Sequence, residues 1–126
     1  MIQTKLPDSP SASMIDARRE EARREAWQRL IDEKLLEWVR EPGQLKDNGI
    51  DAPTATIVRL SLYWASQFCE AGFPAPDSIV PDPNGGIVFE RREGDVSEVL
   101  HVWDDGSAEY MRFHGTQLAE RQPLGV

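Results

Sequence analysis

The two histidines, His101 and His114, are the residues of this sequence best suited to acid–base chemistry. His101 falls on a predicted strand whose neighbour places the carboxylate of Glu109 opposite the imidazole. A histidine held by a carboxylate can act as a general base, but the same pair is far more common as an ordinary cross-strand contact. An enzyme or small-ligand binder would need a concave pocket beside the sheet that also uses Tyr110 or Arg112.

The sequence has no residue set typical of a metal site or of nucleophilic catalysis. A zinc site needs three or four convergent ligands, and two histidines with one cysteine do not supply them at a familiar spacing. Cys69 lies in a predicted buried helix without a basic neighbour to activate it. The segment from Asp82 to Gly86 lacks the spacing of a calcium loop and the lysine of a phosphate loop, so it is predicted to be a tight turn. We therefore expect no catalytic residue, no metal and no cofactor.

Two helices are predicted to precede the sheet. The first covers residues 14–40 after a capping box at Ser13 and Asp16. The second begins at Pro53 or Thr54, ends near Gly72, and is apolar over most of its circumference, which predicts burial on several sides. The sequence leaves open whether the first helix folds back on the domain or pairs with another copy. Its second half carries an apolar stripe at helical spacing: Trp27, Leu30, Ile31, Leu35, Trp38 and Val39.

A three-stranded antiparallel meander is predicted to follow, over residues 87–92, 96–103 and 107–113, with a short extended piece at 78–80. The loops between these strands are short, which forces neighbouring strands to run antiparallel. The fold expected from the sequence is thus α+β, with two N-terminal helices packed on a three-stranded β-meander. We expect residues 1–12 to form a flexible tail, residues 13–118 a single domain, and residues 119–126 a C-terminal tail.

The predicted turns fix which residues share a face of the sheet. A turn with a glycine bulge at residues 104–106 places Leu100 opposite Tyr110, Val102 opposite Ala108 and Glu98 opposite Arg112. A loop around Gly94 places Ile87 opposite Leu100 and Val88 opposite Val99. One face is expected to meet the second helix and carries Ile87, Phe89, Leu100, Val102, Ala108 and Tyr110. The other face is too apolar to be fully solvated, and five of its residues are predicted to form an interface: Val88, Val99, Trp103, Met111 and Phe113.

Composition narrows the class of partner. The chain has 126 residues and a net charge of −8, with a sequence pI of about 4.7. Negative charge repels phosphates, so nucleic acid is disfavoured as a partner. The arginines at 18, 19, 23 and 24 are interleaved with glutamates, which favours a solvated helix face over a phosphate-binding patch. A single cysteine, the absence of a long apolar run and the absence of a cleavage signature predict a cytoplasmic protein without a membrane span.

A group of small bacterial proteins shares a motif with this chain. The segment Pro81-Asp82-Pro83-Asn84-Gly85-Gly86-Ile87-Val88-Phe89-Glu90, with Asp105-Gly106 and Glu109-Tyr110 after it, resembles that group's pattern P-D-G-G-[IV]-x-[FL]-E, then D-G and E-Y. The likeness covers about residues 48–118. The group is uncharacterised, and some members look like accessory genes of mobile elements or of defence and toxin systems. The resemblance implies a helix followed by a β-meander and carries over no catalytic residue.

The function expected from the sequence is a non-enzymatic protein-interaction or accessory module, for which an antitoxin- or immunity-like role would be one version. Its partner would be another protein or a second copy of the chain. The alternative is a small-ligand binder or enzyme that uses His101, Glu109 and Tyr110 beside the sheet. A third hypothesis, nucleic-acid binding through the arginines between Arg18 and Arg24, would show a steep salt dependence.

Overall fold

The computed structural model of the chain describes residues 13–41, 43, 45 and 49–125. It is an α+β fold in which helices pack on one face of a five-stranded antiparallel sheet in the order β1-β2-β3-β4-β5. The sequence predicted the class and the meander, but three strands in place of five. The predicted tail at residues 1–12 lies outside the described residues.

The first helical stretch contains a π-helical turn that the sequence pattern did not predict. Helix α1 spans Ser13–Leu30, the π-helical turn spans Ile31–Leu35, and helix α2 spans Leu36–Arg40. Trp27 and Leu35 of the predicted apolar stripe are buried, whereas Val39 is exposed. A π turn holds more residues than an α turn and therefore rotates every later side chain about the axis. Val39 lies in the last turn of α2, and the burial predicted for it was wrong.

Helix α3 spans Ala55–Glu70, and both of its ends match the sequence prediction. At the N-terminus, Thr54 caps the helix because its Oγ1 accepts a hydrogen bond from the amide of Ile57 at 3.2 Å. At the C-terminus, Gly72 has φ +98°. The amide of Phe73 donates to the carbonyl of Phe68 at 3.0 Å, and the Phe68 and Phe73 rings lie 4.7 Å apart. These contacts form a Schellman motif with its accompanying hydrophobic contact.

Helix α1 folds back on the domain, which answers a question that the sequence left open. Arg23 Nε donates to the backbone carbonyl of Cys69 at 3.0 Å, at the C-terminal end of α3, where a cation is favourable. Trp27 Nε1 donates to the carbonyl of Phe73 at 2.9 Å, and the Trp27 ring lies 6.3 Å from the ring of Phe89. Trp27 therefore bridges helix α3 and the sheet. The thiol of Cys69 is buried, as predicted.

The sheet is a simple meander in which each strand pairs with the next along the chain. Its strands are β1 (Ser78–Pro81), β2 (Ile87–Glu93), β3 (Val96–Val102), β4 (Ala108–His114) and β5 (Gln117–Leu124). The predicted β3–β4 register is confirmed, with Leu100 opposite Tyr110 and Val102 opposite Ala108. The predicted β2–β3 register was wrong by two residues, since Ile87 pairs with Val102 and Val88 with His101. The turn between β2 and β3 contains only Gly94 and Asp95. Because side chains alternate between the two faces of a strand, a register shift of two residues leaves every side chain on its predicted face.

The two edge strands account for the difference from the predicted sheet. Strand β1 contains the short extended piece expected at residues 78–80. Strand β5 covers most of the segment that was predicted to be a C-terminal tail, 119–126, and it pairs with β4 through a bulge between Arg112 and Phe113. Six of the eight residues of β5 are exposed, so its sequence lacks the apolar alternation by which strands are usually recognised.

The hydrophobic core lies between the helices and one face of the sheet. All six sheet residues predicted to face the second helix are buried. All of them except Tyr110 belong to one core cluster with Ile57, Val58, Trp64 and Ala65 of helix α3, together with Trp27 and Leu35. Because these helices all pack on the same side, the structure gives the sheet one covered face and one open face.

Candidate functional site: the open face of the sheet

The open sheet face is built by alternate residues of the five strands, which the register aligns in three rows across the sheet. The first row is Val80, Val88, His101, Glu109 and Pro123; the second is Ser78, Glu90, Val99, Met111 and Arg121; the third is Arg92, Ser97, Phe113 and Leu118. Trp103 follows β3 beside the first row. Within the described chain, no helix packs against these rows.

The five residues predicted to form an interface all lie on this open sheet face. Trp103 is 38% exposed, and Val88, Val99, Met111 and Phe113 are each half-buried by their neighbours in the sheet. The edge strands add Val80, which is 44% exposed, and Leu118, which is 48% exposed. These two residues were not among the predicted interface residues, because residues 78–80 were expected only as a short extended piece and Leu118 was not predicted to lie in a strand. The result is a continuous apolar strip that crosses the whole sheet.

The charged side chains of the open sheet face are paired within the chain. Arg121 Nε donates to Glu109 Oε2, and Arg92 Nη2 lies 4.0 Å from Glu90 Oε2. Asp82 lies beside the first row, and its Oδ2 is 2.8 Å from His101 Nε2. The face is therefore close to neutral, although the chain as a whole carries a net charge of −8.

The partner of His101 differs from the one that the sequence predicted. His101 and Glu109 are opposite each other in the β3–β4 register, as expected. The side chain of Glu109 nevertheless turns to Arg121, and the hydrogen bond of His101 goes to Asp82. Asp82 belongs to the turn Asp82-Pro83-Asn84-Gly85-Gly86. The sequence predicted this turn, but it did not predict that the Asp82 carboxylate would reach His101.

The turn before β2 holds the Asp82 carboxylate in place from two sides. Its Oδ1 accepts hydrogen bonds from the amides of Asn84 at 2.7 Å and Gly86 at 3.1 Å. Its side chain is 11% exposed and that of His101 is 13% exposed. Burial alone would raise the pKa of Asp82, but the hydrogen bonds from His101, Gly86 and Asn84 outweigh it and hold the pKa below its usual value. Asp82 is thus a carboxylate at neutral pH.

Gly86 is required for this close approach. A Cβ at position 86 would overlap Asp82 Oδ2 and would lie 2.6 Å from the backbone carbonyl oxygen of Val102. Neither approach is compatible with a side chain. On the other side of the imidazole, the ring of Trp103 stacks on His101 with centroids 3.5 Å apart and planes inclined by 21°. His101 is therefore fixed by Asp82 at its edge and by Trp103 on its face.

Tyr110 does not join His101 and Glu109, because it lies on the covered face of the sheet. Its hydroxyl donates to Glu98 Oε2 at 2.7 Å, and Arg91 Nη1 donates to the other Glu98 oxygen at 3.2 Å. Burial, reinforced by the Glu98 carboxylate, raises the pKa of Tyr110 well above its usual value. The hydroxyl therefore stays protonated at neutral pH and acts as a hydrogen-bond donor, and it is unsuited to exchange a proton as a general base or acid.

A cleft borders Tyr110 at the end of helix α3. It is open to solvent and has a cavity volume of about 360 Å³. Its walls are aromatic on the helix side and polar on the sheet side: Phe68, Phe73, Glu98, Tyr110, Arg112, Glu120, Gln122 and Leu124. Arg112 Nη2 lies 3.3 Å from Glu120 Oε1. Of the sequence-predicted ligand-binding residues, Tyr110 and Arg112 thus share a cleft, while His101 and Glu109 lie on the opposite face of the sheet.

Comparison of the chain with protein-family models, with curated proteins and with solved structures found no match. In the part of the chain that the structure describes, no three His, Cys, Asp or Glu side chains are grouped closely enough to hold a metal ion. Across the same residues, no helix has the length and apolar character needed to cross a membrane. The geometry of the two faces is therefore the basis for a functional proposal.

Proposed function

We propose that the chain is a non-enzymatic protein-interaction module and that the open sheet face is its docking surface. The observation that carries the proposal is the apolar strip from Val80 to Leu118, which no described helix covers. Antiparallel sheets with one solvated face normally alternate apolar residues inward with polar residues outward. Here the outward positions at the centre are Val99, Met111 and Phe113. A contiguous apolar patch with a polar rim is typical of a protein-binding surface.

The proposal specifies the kind of partner surface. Trp103 and Met111 belong to the residue types that dominate binding energies. The intrachain pairs of Glu109 with Arg121 and of Asp82 with His101 leave the face nearly neutral, so the partner surface would be apolar at its centre. An antitoxin- or immunity-like role would be one version of this function. A cytoplasmic location is part of the proposal, and the free thiol of Cys69 supports it.

The test compares two double variants by affinity purification from the native host, with and without nuclease. Trp103→Ala/Met111→Ala removes anchors from the open sheet face. Val39→Ala/Tyr63→Ala removes two exposed apolar side chains of the helices and is the matched control. We expect a stoichiometric protein partner that survives nuclease and is retained by the control.

The decisive step uses the identified partner in purified form. Loss of two anchors should weaken its binding by about thirtyfold or more, measured by titration calorimetry, while the control binds as the unaltered chain does. Circular dichroism must show that both variants are folded. Equal binding by Trp103→Ala/Met111→Ala and by the unaltered chain would exclude the open sheet face as the docking surface.

A small-ligand binder is the second candidate function, and the cleft beside Tyr110 is the observation that favours it. Its aromatic wall and its polar groups on β4 and β5 fit the general composition of ligand pockets. Ligand-observed NMR with a set of aromatic fragments tests it, with Phe68→Ala as the variant that removes one wall. Fragments that bind the unaltered chain and not Phe68→Ala would support this candidate, and the absence of any binding fragment would remove it.

A further inference from the structure

We infer that the occupant of the open sheet face is a second copy of this chain, packed about a two-fold axis that runs parallel to the strands between β3 and β4. This inference rests on the proposed function, because it names the partner of the same surface. Its basis is the distribution of charge along the middle row of the face. That row reads Ser78, Glu90, Val99, Met111 and Arg121 from β1 to β5.

The middle row is self-complementary under one of the two possible rotations. An axis parallel to the strands places β2 of one copy over β5 of the other, and β3 over β4. Glu90 then lies over Arg121 of the second copy, and Val99 lies over Met111 of the second copy. Because a two-fold interface repeats each contact, the Glu90–Arg121 contact forms twice, once on each side of an apolar centre.

The alternative rotation brings like charges together. An axis that runs across the strands, along the middle row, places each strand over its own copy. Glu90 would face Glu90 of the second copy, and Arg121 would face Arg121. Like charges placed opposite each other in an interface are unfavourable. The charges of the middle row therefore select the axis parallel to the strands.

The first and third rows are compatible with the same arrangement. In the first row, His101 lies over Glu109 of the second copy, and Val88 lies over Pro123. In the third row, Arg92 lies over Leu118 of the second copy, where its aliphatic stem can cover the leucine while its charge stays at the rim. No like-charge pair forms in any row.

Arg121 has the hydrogen-bonding capacity that the arrangement requires. Its Nε already donates to Glu109 of the same chain. A guanidinium has five N–H donors in all, so its terminal nitrogens remain for Glu90 of the second copy. The intrachain ion pairs of the open sheet face persist when the two copies associate. Each charge that becomes covered therefore keeps a partner.

The size of the face sets the expected strength of the dimer. Four strands spaced about 4.8 Å apart, with seven residues rising about 3.4 Å each, give a flat footprint of roughly 450 Å². Side-chain relief makes the accessible area larger than this, which places the interface at the small end of the range for specific complexes. We expect a dimer that dissociates in the micromolar range.

Charge reversal on two chains provides the test. Sedimentation equilibrium of the full chain from about 1 to about 500 µM measures the dissociation constant. Glu90→Arg places arginine against Arg121 of the second copy, and Arg121→Glu places glutamate against Glu90, so each variant alone should dimerise at least about tenfold more weakly. In an equimolar mixture of the two variants, both repeats of this contact in the heterodimer again join an arginine to a glutamate. The mixture should therefore recover much of the affinity that each variant loses on its own. It should stay somewhat weaker than the unaltered chain, because Arg121→Glu also removes the intrachain partner of Glu109.

The matched control variants have the same charge reversals at positions outside the open sheet face. Glu33→Arg and Arg59→Glu lie at exposed helical positions, and we expect both to dimerise as the unaltered chain does. A chain that stays monomeric over the whole range, or a mixture that does not recover, overturns the inference. A dimer formed through the β5 edge also overturns it and is recognised by its indifference to Glu90→Arg.

The test separates this inference from the function on which it rests. In one outcome, the chain is monomeric while its purified partner fails to bind Trp103→Ala/Met111→Ala. This result would exclude a second copy as the occupant, but the open sheet face would still be the docking surface. If the chain is monomeric and the partner binds the double variant as tightly as the unaltered chain, both the second copy and the docking surface would be excluded.

Discussion

Replacing Gly86 by alanine should destabilise the fold far more than the loss of a flexible glycine ordinarily would. The new methyl group would overlap Asp82 Oδ2 and would lie 2.6 Å from the carbonyl oxygen of Val102. The Val102 oxygen belongs to strand β3, so β2 cannot relieve the overlap without distorting the register. The Gly86 amide is also tied to Asp82 Oδ1 at 3.1 Å. The carboxylate must therefore swing away, which breaks its hydrogen bond to His101.

The magnitude follows from these two consequences. Overpacking in a rigid site costs about 1 to 3 kcal/mol, and the loss of hydrogen bonds to a charged group adds about 1.5 kcal/mol or more. We expect the free energy of unfolding to fall by about 2 to 4 kcal/mol, which lowers the midpoint temperature by roughly 10 °C. Urea denaturation followed by tryptophan fluorescence measures this change.

Two comparison variants make the Gly86 prediction decisive. Gly43→Ala introduces the same methyl group at a helical position where nothing lies within 4 Å, and it should leave the stability unchanged or raise it by up to about 1 kcal/mol. Asp82→Ala removes two of the three atoms that Gly86→Ala would strike, so the double variant should be more stable than the sum of the single effects by about 1 kcal/mol. If Gly86→Ala unfolded at the same urea concentration as Gly43→Ala, the reasoning from the turn geometry would be refuted.

Two further predictions concern single hydrogen-bonding groups. Thr54→Ala removes the cap at the N-terminus of helix α3 and should lower the free energy of unfolding by about 1 kcal/mol, with Thr54→Ser as the control that retains it. Asp82 has a folded-state pKa below its usual 3.8, so it stabilises the fold above that pH, and this stabilisation is lost as pH falls through the folded value. Asp82→Asn should therefore lose less stability than the unaltered chain as the pH falls below 3.8. If the free energy of unfolding, measured by urea titration, depended on pH equally in the two proteins, this assignment would be contradicted.

The sequence predicted the two faces of the sheet correctly even though one register was wrong. Ile87 was placed opposite Leu100 and lies opposite Val102. The error was two residues, and side chains alternate with a period of two, so Ile87 and Val88 still point to their predicted sides. Hydrophobic alternation reports the face of a residue directly. Register depends also on the length of the turn, which the sequence around Gly94 did not define uniquely.

Strand β5 was missed for a different physical reason. An edge strand pairs on one side only and exposes most of its side chains, so burial does not impose an apolar pattern on it. The sequence Gln-Leu-Ala-Glu-Arg-Gln-Pro-Leu therefore looks like a tail. Charges and proline on an edge strand are a common protection against unwanted strand pairing. Only the pairing with β4 shows that this segment is a strand.

The contact between Asp82 and His101 was beyond sequence reasoning because it joins a turn to a strand 19 residues away. Cross-strand register predicts which Cα atoms are opposite each other, and it was right about His101 and Glu109. Register does not decide between competing partners for a side chain. Arg121 supplied the competing partner for Glu109, and it lies on the strand that the sequence did not predict.

The pairing of charges explains how the open sheet face can be both exposed in a single chain and suited to association. A lone Glu109 or Asp82 carboxylate in an interface would lose its water on binding, and an uncompensated buried charge is strongly unfavourable. Arg121 and His101 give these carboxylates hydrogen-bond partners within the chain. Both pairs lie beside Val99 and Met111 on the side of the first row, so the apolar strip borders groups that already have partners. The negative charge of the molecule lies largely off this face, where it promotes solubility without opposing contact at the strip.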